Sequence, residues 1–288
     1  MFALGLFVGI YSYIIFTLGI LGLLYKEIIL ICSLIFLFCT IFYFLKHKRE
    51  ISRSSLKKRR FKPLLLLFGM IALINLIGAL GPELSFDALW YHLTIPKIFI
   101  QNHAVFYIPG GLFYYSVMPK LGEMLFIPGL MIGSEIIPKL IQWGFGILTG
   151  FAVYKITRKF FDEKISVISS LVFYSSLVVS WQSTTAYVDL IRTFFETMGL
   201  WGFLEFYKSK KKKWLIKSAV MVGLAICTKL IALGTIPIFI ALLLIIDKSR
   251  RKSIGNSLIF IAVALLISLP WFVFAFINTG NPFYPIFS

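Results

Sequence analysis

The sequence has little charge. Only 14% of its 288 residues are Asp, Glu, Lys or Arg, against about 25% in an ordinary globular domain. With 59% hydrophobic residues and a mean hydropathy of +0.91, a single soluble core has too little interior to hide the apolar excess. A soluble enzyme is excluded, and so is a disordered chain. Acids are scarcer still, 12 against 29 Lys and Arg, for a net charge of +17. The three cysteines, Cys32, Cys39 and Cys227, lie in apolar runs without a partner at disulfide or metal-ligand spacing and read as small buried hydrophobes. Of the three histidines, His92 and His103 also lack such a partner. No Ser/His/Asp order, P-loop or dinucleotide glycine pattern stands out. No metal site and no cofactor is therefore indicated.

Long apolar runs are abundant. A spanning helix needs about 17–25 mostly apolar residues. Nine segments meet or approach this: 3–24, 28–45, 63–81, 136–155, 165–181, 190–207, 214–228, 231–246 and 255–277. The first lacks a basic flank and is too long for a signal-peptide core, so it reads as an uncleaved helix. The seventh and eighth meet at Cys227-Thr228-Lys229 without a polar linker and could form two spans or one broken helix. Charge decides between these. Residues 46–62 hold nine Lys/Arg, 155–164 hold four, 208–217 six and 248–252 four, together 23 of the 29. All four clusters can face the cytoplasm, as basic loops do, if two spans separate each neighbouring pair. Segment 214–246 must then cross out and back, with Lys229 near the outer turn. The N-terminus is cytoplasmic and the C-terminus outside. The +17 becomes a topology signal and a contact with anionic lipid headgroups, and no nucleic-acid partner is expected.

The other face carries a long segment, 82–135, and short ones near 182–189, 228–230 and 278–288. Phe86, Leu89, Trp90, Leu93, Ile98 and Phe99 lie mostly at helical spacing, interrupted at Pro96. Met118, Leu121, Leu125 and Ile132 repeat the pattern. Both stretches are expected to be helices lying in the outer interface, apolar side down. Tyr107, Phe113, Tyr114 and Tyr115 suit an aromatic belt.

Charges on so apolar a face must be solvated, paired or functional. The acids are Glu83, Asp87, Glu123, Glu135 and Asp189, with Glu196 two turns into the sixth span. Asp87 is either a helix-start acid or a carboxylate aimed at a cavity. Asp189, Arg192 and Glu196 can share one helical face, a stripe that is costly unless it lines a water-filled cavity. Lys229 either snorkels at a helix end or contacts an anion. His92 and Lys97 sit in Trp90-Tyr91-His92-Leu93-Thr94-Ile95-Pro96-Lys97.

These strings together resemble the membrane module of GT-C glycosyltransferases. The similarity is to bacterial proteins related to dolichyl-phosphate-mannose protein mannosyltransferases and to the aminoarabinose transferase of lipid A. It is carried by Phe86-Asp87-Ala88-Leu89-Trp90-Tyr91-His92-Leu93 with Pro96-Lys97, by Ala186-Tyr187-Val188-Asp189-Leu190, by Thr228-Lys229, and by Gly280-Asn281-Pro282. The resemblance implies an all-α polytopic transmembrane bundle of about nine spans, with interfacial helices in a long first outer loop. Residues 1–60 form two added N-terminal helices and a basic loop. Residues 61–288 form the GT-C-like module, expected to be incomplete at its C-terminus. It implies an inverting glycosyltransferase of the cell (inner) membrane, acting on the extracytoplasmic side. The donor is a polyprenyl-phosphate sugar and the acceptor a glycan, lipid or protein hydroxyl. Asp87 and Asp189 then carry catalysis, Lys97, Lys229 and His92 hold the donor phosphate, and Tyr91, Glu123, Arg192, Glu196 and Asn281 line the acceptor cavity. Many such proteins have two adjacent acids at the loop start, whereas Ala88 follows Asp87 here, so paired-acid metal binding is not indicated. The competing readings are a transporter or flippase for a lipid-linked or anionic solute, and a non-catalytic subunit of a glycan-assembly complex.

Overall fold

A computed structural model describes residues 1–46, 62–246 and 249–286. Every regular element among them is helical: α1 (Phe2–Ile20), α2 (Lys26–Lys46), α3 (Lys62–Leu80), a π-helical turn (Ala88–His92), α4 (Thr94–Gln101), a 3-10 turn (Tyr114–Val117), α5 (Leu121–Met131), α6 (Ile136–Thr157), α7 (Glu163–Ser175), α8 (Leu177–Gln182), α9 (Asp189–Ser209), α10 (Lys212–Thr228), a 3-10 turn (Leu230–Gly234), α11 (Thr235–Ile246) and α12 (Arg250–Thr279). Of these, α1, α2, α3, α6 and α12 are long and apolar enough to cross a membrane.

Hydrophobicity all round, not one apolar stripe, characterises the long helices. Leu34, Phe38 and Phe42 of α2 and Leu66, Ile74 and Ile77 of α3 remain largely exposed, as side chains facing lipid would. The core is built where small residues let backbones approach. A Cβ placed on Gly202 of α9 would lie 2.9 Å from the Ser218 backbone of α10, and the Ser218 hydroxyl donates to the Gly199 carbonyl at 2.6 Å. A Cβ on Gly223 would lie 2.8 Å from the Ala264 carbonyl of α12. The helix α1 enters the same core: Ile15 and Phe16 are buried, and the Phe16 ring lies 4.0 Å from that of Trp271.

The chain reverses between α10 and α11. Lys229 reaches Asp189 at the start of α9, whereas Phe239 in α11 packs on Phe203 well along α9 and on Phe260 of α12. The stretch expected as one helix over 165–181 is divided instead, because Ser176 leaves the helical region (ψ 140°) between α7 and α8.

One expectation is corrected. The helix α5 is not a one-sided helix with its apolar side down; it is buried over most of its length. Leu121, Met124, Phe126 and Ile127 are fully buried and Glu123 nearly so. The Ser12 hydroxyl of α1 donates to the Leu121 carbonyl at 2.8 Å. Its sequence is apolar around the whole circumference, and such a helix belongs inside a bundle. The large apolar side chains that the long segment does expose are Leu84, Phe86, Leu89, Leu112 and Ile132.

The two ends of the bundle differ in charge. At one end the 155–164 and 208–217 clusters meet, through the Lys159–Glu205 ion pair and the Lys208 ammonium on the Lys159 carbonyl at 3.3 Å. Arg251 and Lys252 share a cleft there with Lys210 and Lys212. The 46–62 cluster lies almost wholly outside the described residues. The other end, about 30 Å away along the 21 residues of α9, holds Asp189 and, with it, Glu83, Asp87 and Glu123.

Candidate functional site

Two outer segments are tied together before any chemistry is considered. The Glu83 carboxylate is buried. One oxygen accepts from the Leu84 and Ser85 amides at 3.0 and 2.9 Å, and the other accepts from the Ala186 amide at 2.6 Å. This clamps the Asp87 segment to the Tyr187–Asp189 segment. The Lys139 ammonium of α6 caps the end of α3 by donating to the Gly81, Pro82 and Gly78 carbonyls at 2.8, 3.1 and 3.3 Å. It thereby satisfies carbonyls a helix end leaves free. The Gln142 side-chain oxygen accepts from the Ile191 amide at 3.3 Å in the first turn of α9.

Asp189 opens α9, and Lys229 closes α10. The Lys229 ammonium donates to both Asp189 oxygens, at 2.9 and 3.1 Å, and the Arg192 guanidinium lies 3.4 Å from one of them. One carboxylate thus faces two cations. The Arg192 Nε is buried without a hydrogen-bond partner among the described residues, a costly state for a charged donor. Glu196 lies one turn further along the face of Arg192.

Asp87 precedes the π-helical turn and is half-buried. It accepts from the Tyr91 hydroxyl at 3.2 Å. Burial raises the Tyr91 hydroxyl pKa, and the Asp87 and Glu123 charges add to the rise, so Tyr91 is a proton donor there. The Tyr91 ring stacks on Tyr115 at 4.2 Å, and Tyr115 stacks on Tyr114 at 4.1 Å. Tyr187 joins the two acids. Burial raises its hydroxyl pKa, a hydrogen bond with the Asp87 backbone opposes this, and the Asp87, Glu83 and Asp189 carboxylates all add to the rise.

Beneath this surface lies a buried triad. The Glu123 carboxylate is 2.9 Å from His92 Nδ1 and 3.3 Å from the Lys120 ammonium. Burial alone would raise the Glu123 pKa, but Lys120 and the His92 hydrogen bond hold it at about 2. Burial pushes His92 down, against the pull of Glu123, and both Lys120 and Lys229 push it further down. His92 is therefore neutral, and its Nε2 has no partner among the described residues. Lys229 also pushes the Lys120 pKa down, after burial as the larger cause. The triad and the Asp189 cluster therefore feel each other's charge.

The structure thus brings Asp87, Tyr91, His92, Glu123, Asp189, Arg192 and Lys229 to one end of the bundle in two adjoining clusters. Two of the expected residues have other partners in the structure. Lys97 is paired with Glu135, both roughly two-fifths exposed, so its charge is spent in an exposed ion pair. Asn281 organises its own turn, accepting from the Phe283 amide at 2.9 Å and donating to the Ile286 carbonyl at 2.7 Å. Sequence reasoning passed over Lys120 and Tyr187 and gave Glu83 no role. Lys120, a lone lysine directly before an apolar helix, was the available signal. Among the described residues no group of three His, Cys, Asp or Glu side chains could hold a metal ion.

The family described as dolichyl-phosphate-mannose-protein mannosyltransferase matches residues 134–274. A curated protein named putative mannosyltransferase YycA, from Bacillus subtilis (strain 168), is 27% identical over 191 residues, covering 63% of this chain and 27% of that protein. The chain thus spans about a quarter of that relative's length. No solved structure matches. The matched family region contains Asp189, Arg192, Glu196 and Lys229 but begins after Asp87.

Proposed function

We propose that this chain, similar to GT-C-like membrane glycosyltransferases, transfers a sugar from a polyprenyl-phosphate donor to an acceptor hydroxyl, with inversion, at the Asp87/Asp189 end of the bundle. The observation that carries the proposal is a two-cation cluster on Asp189 with a second carboxylate, Asp87, hydrogen-bonded by a tyrosine, both acting on Tyr187.

The chemistry divides between the clusters. The acceptor oxygen attacks the anomeric carbon opposite the C–O–P linkage. The new C–O bond forms as the bond to the phosphate oxygen breaks, and the hydroxyl proton passes to Asp87. The leaving phosphate gains one negative charge. Lys229 and the unpaired Arg192 N–H meet that charge in a partly desolvated place, where such donors are worth most. Lys120 and neutral His92 support the same field from below, and Asp189 holds the two cations in register. The bundle crosses the membrane nine times, with its basic end in the cytoplasm and this site outside, in the cell membrane. The acceptor is a glycan, lipid or protein hydroxyl.

The test is direct. The purified chain is incubated with polyprenyl-phosphate sugars, mannose first because the family description and the named relative both mention mannosyltransferase, and free polyprenyl phosphate and glycoside are quantified. Asp87→Asn is expected to lower turnover at least about a hundredfold with donor binding retained. Full turnover in that variant removes Asp87 as the base. Accumulation of unchanged donor across a vesicle membrane points to a transporter instead.

A further inference from the structure

The basic end of the bundle contains a cleft lined by none of the residues of the Asp87/Asp189 end. Its volume is about 890 Å³, and Lys210, Lys212, Arg251 and Lys252 line it together with Phe206, Ile246 and Ile259. No acid lines it among the described residues. The first turns of α10 and α12 both open onto it, and neither contains an acid or a side-chain cap. Their free N–H groups and dipoles add to the positive field. Ile246 and Ile259 line the cleft itself, and their sequence neighbours Ile245 and Leu258 are 80% and 61% exposed. Cations and apolar side chains in one cleft, on helices with exposed apolar residues, suit one lipid: anionic head, aliphatic tails.

We propose that this cleft binds the phosphoryl headgroup of a single anionic phospholipid, whose acyl chains lie against the apolar surface beside α11 and α12. A free phosphate ion would meet the same cations but leave that apolar surface unused. The arrangement is independent of the catalytic reading, since none of these residues belongs to the Asp87/Asp189 end.

The experiment uses the full chain in neutral detergent. Phosphatidylglycerol and phosphatidylcholine are titrated in turn, and retained lipid is counted by native mass spectrometry. One phosphatidylglycerol is expected to be retained selectively. Neutralising Lys212→Gln, Arg251→Gln and Lys252→Gln together lowers its affinity about a hundredfold, from roughly fivefold per cation. Lys213→Gln with Lys217→Gln, which lie outside the cleft lining, leaves affinity unchanged. A charge-conserving set, Lys212→Arg, Arg251→Lys and Lys252→Arg, also binds, which separates lost charge from lost fold. Equal retention of the two lipids by the parent chain, or undiminished phosphatidylglycerol binding by a folded neutralised variant, overturns the proposal. Displacement of the lipid by millimolar inorganic phosphate overturns the lipid assignment in favour of a free-anion site. Should the neutralised variant fail to fold, the parent's lipid preference and the phosphate competition decide.

Discussion

Lys229 is the residue whose removal says most. Its ammonium lies 2.9 and 3.1 Å from the Asp189 oxygens, with Lys229 one-third exposed and Asp189 about one-seventh. Two unit charges about 3 Å apart attract by roughly 5 kcal/mol at an effective dielectric near 20. Dehydrating both groups and ordering a long side chain offset most of that. Partial exposure lowers the remainder further. A coupling of about 1–2 kcal/mol should survive. Lys229→Met should destabilise the chain by about 2 kcal/mol, because Asp189 keeps only the longer Arg192 contact at 3.4 Å. Thermal unfolding of Lys229→Met, Asp189→Asn and the double variant in detergent gives the coupling directly. Sugar transfer is read on the same proteins. Loss of one leaving-group cation should lower turnover by about a hundred- to a thousandfold. The reversed pair, Asp189→Lys with Lys229→Asp, should regain part of the stability but none of the transfer. Strictly additive single effects would show that the pair does not form. Transfer restored by the reversed pair would show that the cation's place is irrelevant to the chemistry.

Further outcomes follow from the same geometry. Glu83→Gln exchanges a carboxylate that accepts three amide hydrogens for a group with one acceptor oxygen. It should cost about 1–3 kcal/mol and lower turnover more than donor affinity, as read by steady-state kinetics. Gly202→Ala forces a methyl against the Ser218 backbone and should lower stability by about 1–3 kcal/mol in thermal unfolding. The His92 pKa is lower in the folded chain than in the unfolded one. Below about pH 6.5 the unfolded state therefore binds the extra proton first. Stability conferred by neutral His92 is present above that pH and is lost as pH falls towards its folded value. The melting temperature should drop on acidification from pH 7 to 5, and drop less in His92→Gln.

Much of the fold was legible because hydropathy and basic clustering are strong, local signals. Helices now seen at 2–20, 26–46, 62–80, 136–157 and 250–279 fall on the apolar runs read from sequence. The reversal at Lys229 followed from counting basic loops, and the structure turns the chain there. What failed was depth. An apolar helix with a Glu in its first turn reads equally as interfacial or buried, and only the partners Lys120 and His92 make Glu123 tolerable inside. Asp189, Arg192 and Lys229 could be grouped from their expected end of the bundle. Lys97 could not be separated from them, because its partner Glu135 lies 38 residues away and spacing gives no hint of it. Tyr187 was quoted as part of a string, yet its place between two acids arises only from the Glu83 clamp.

The central claim is that donor phosphate and acceptor hydroxyl meet at the Asp87/Asp189 end. An experimental structure of the full chain in lipid, with a bound polyprenyl-phosphate sugar, tests it most directly. The account predicts phosphate oxygens within about 3 Å of the Lys229 ammonium and the Arg192 Nε, with the anomeric carbon turned towards Asp87. A phosphate seated beside the Lys97–Glu135 pair, or in the basic cleft at the opposite end, would contradict it.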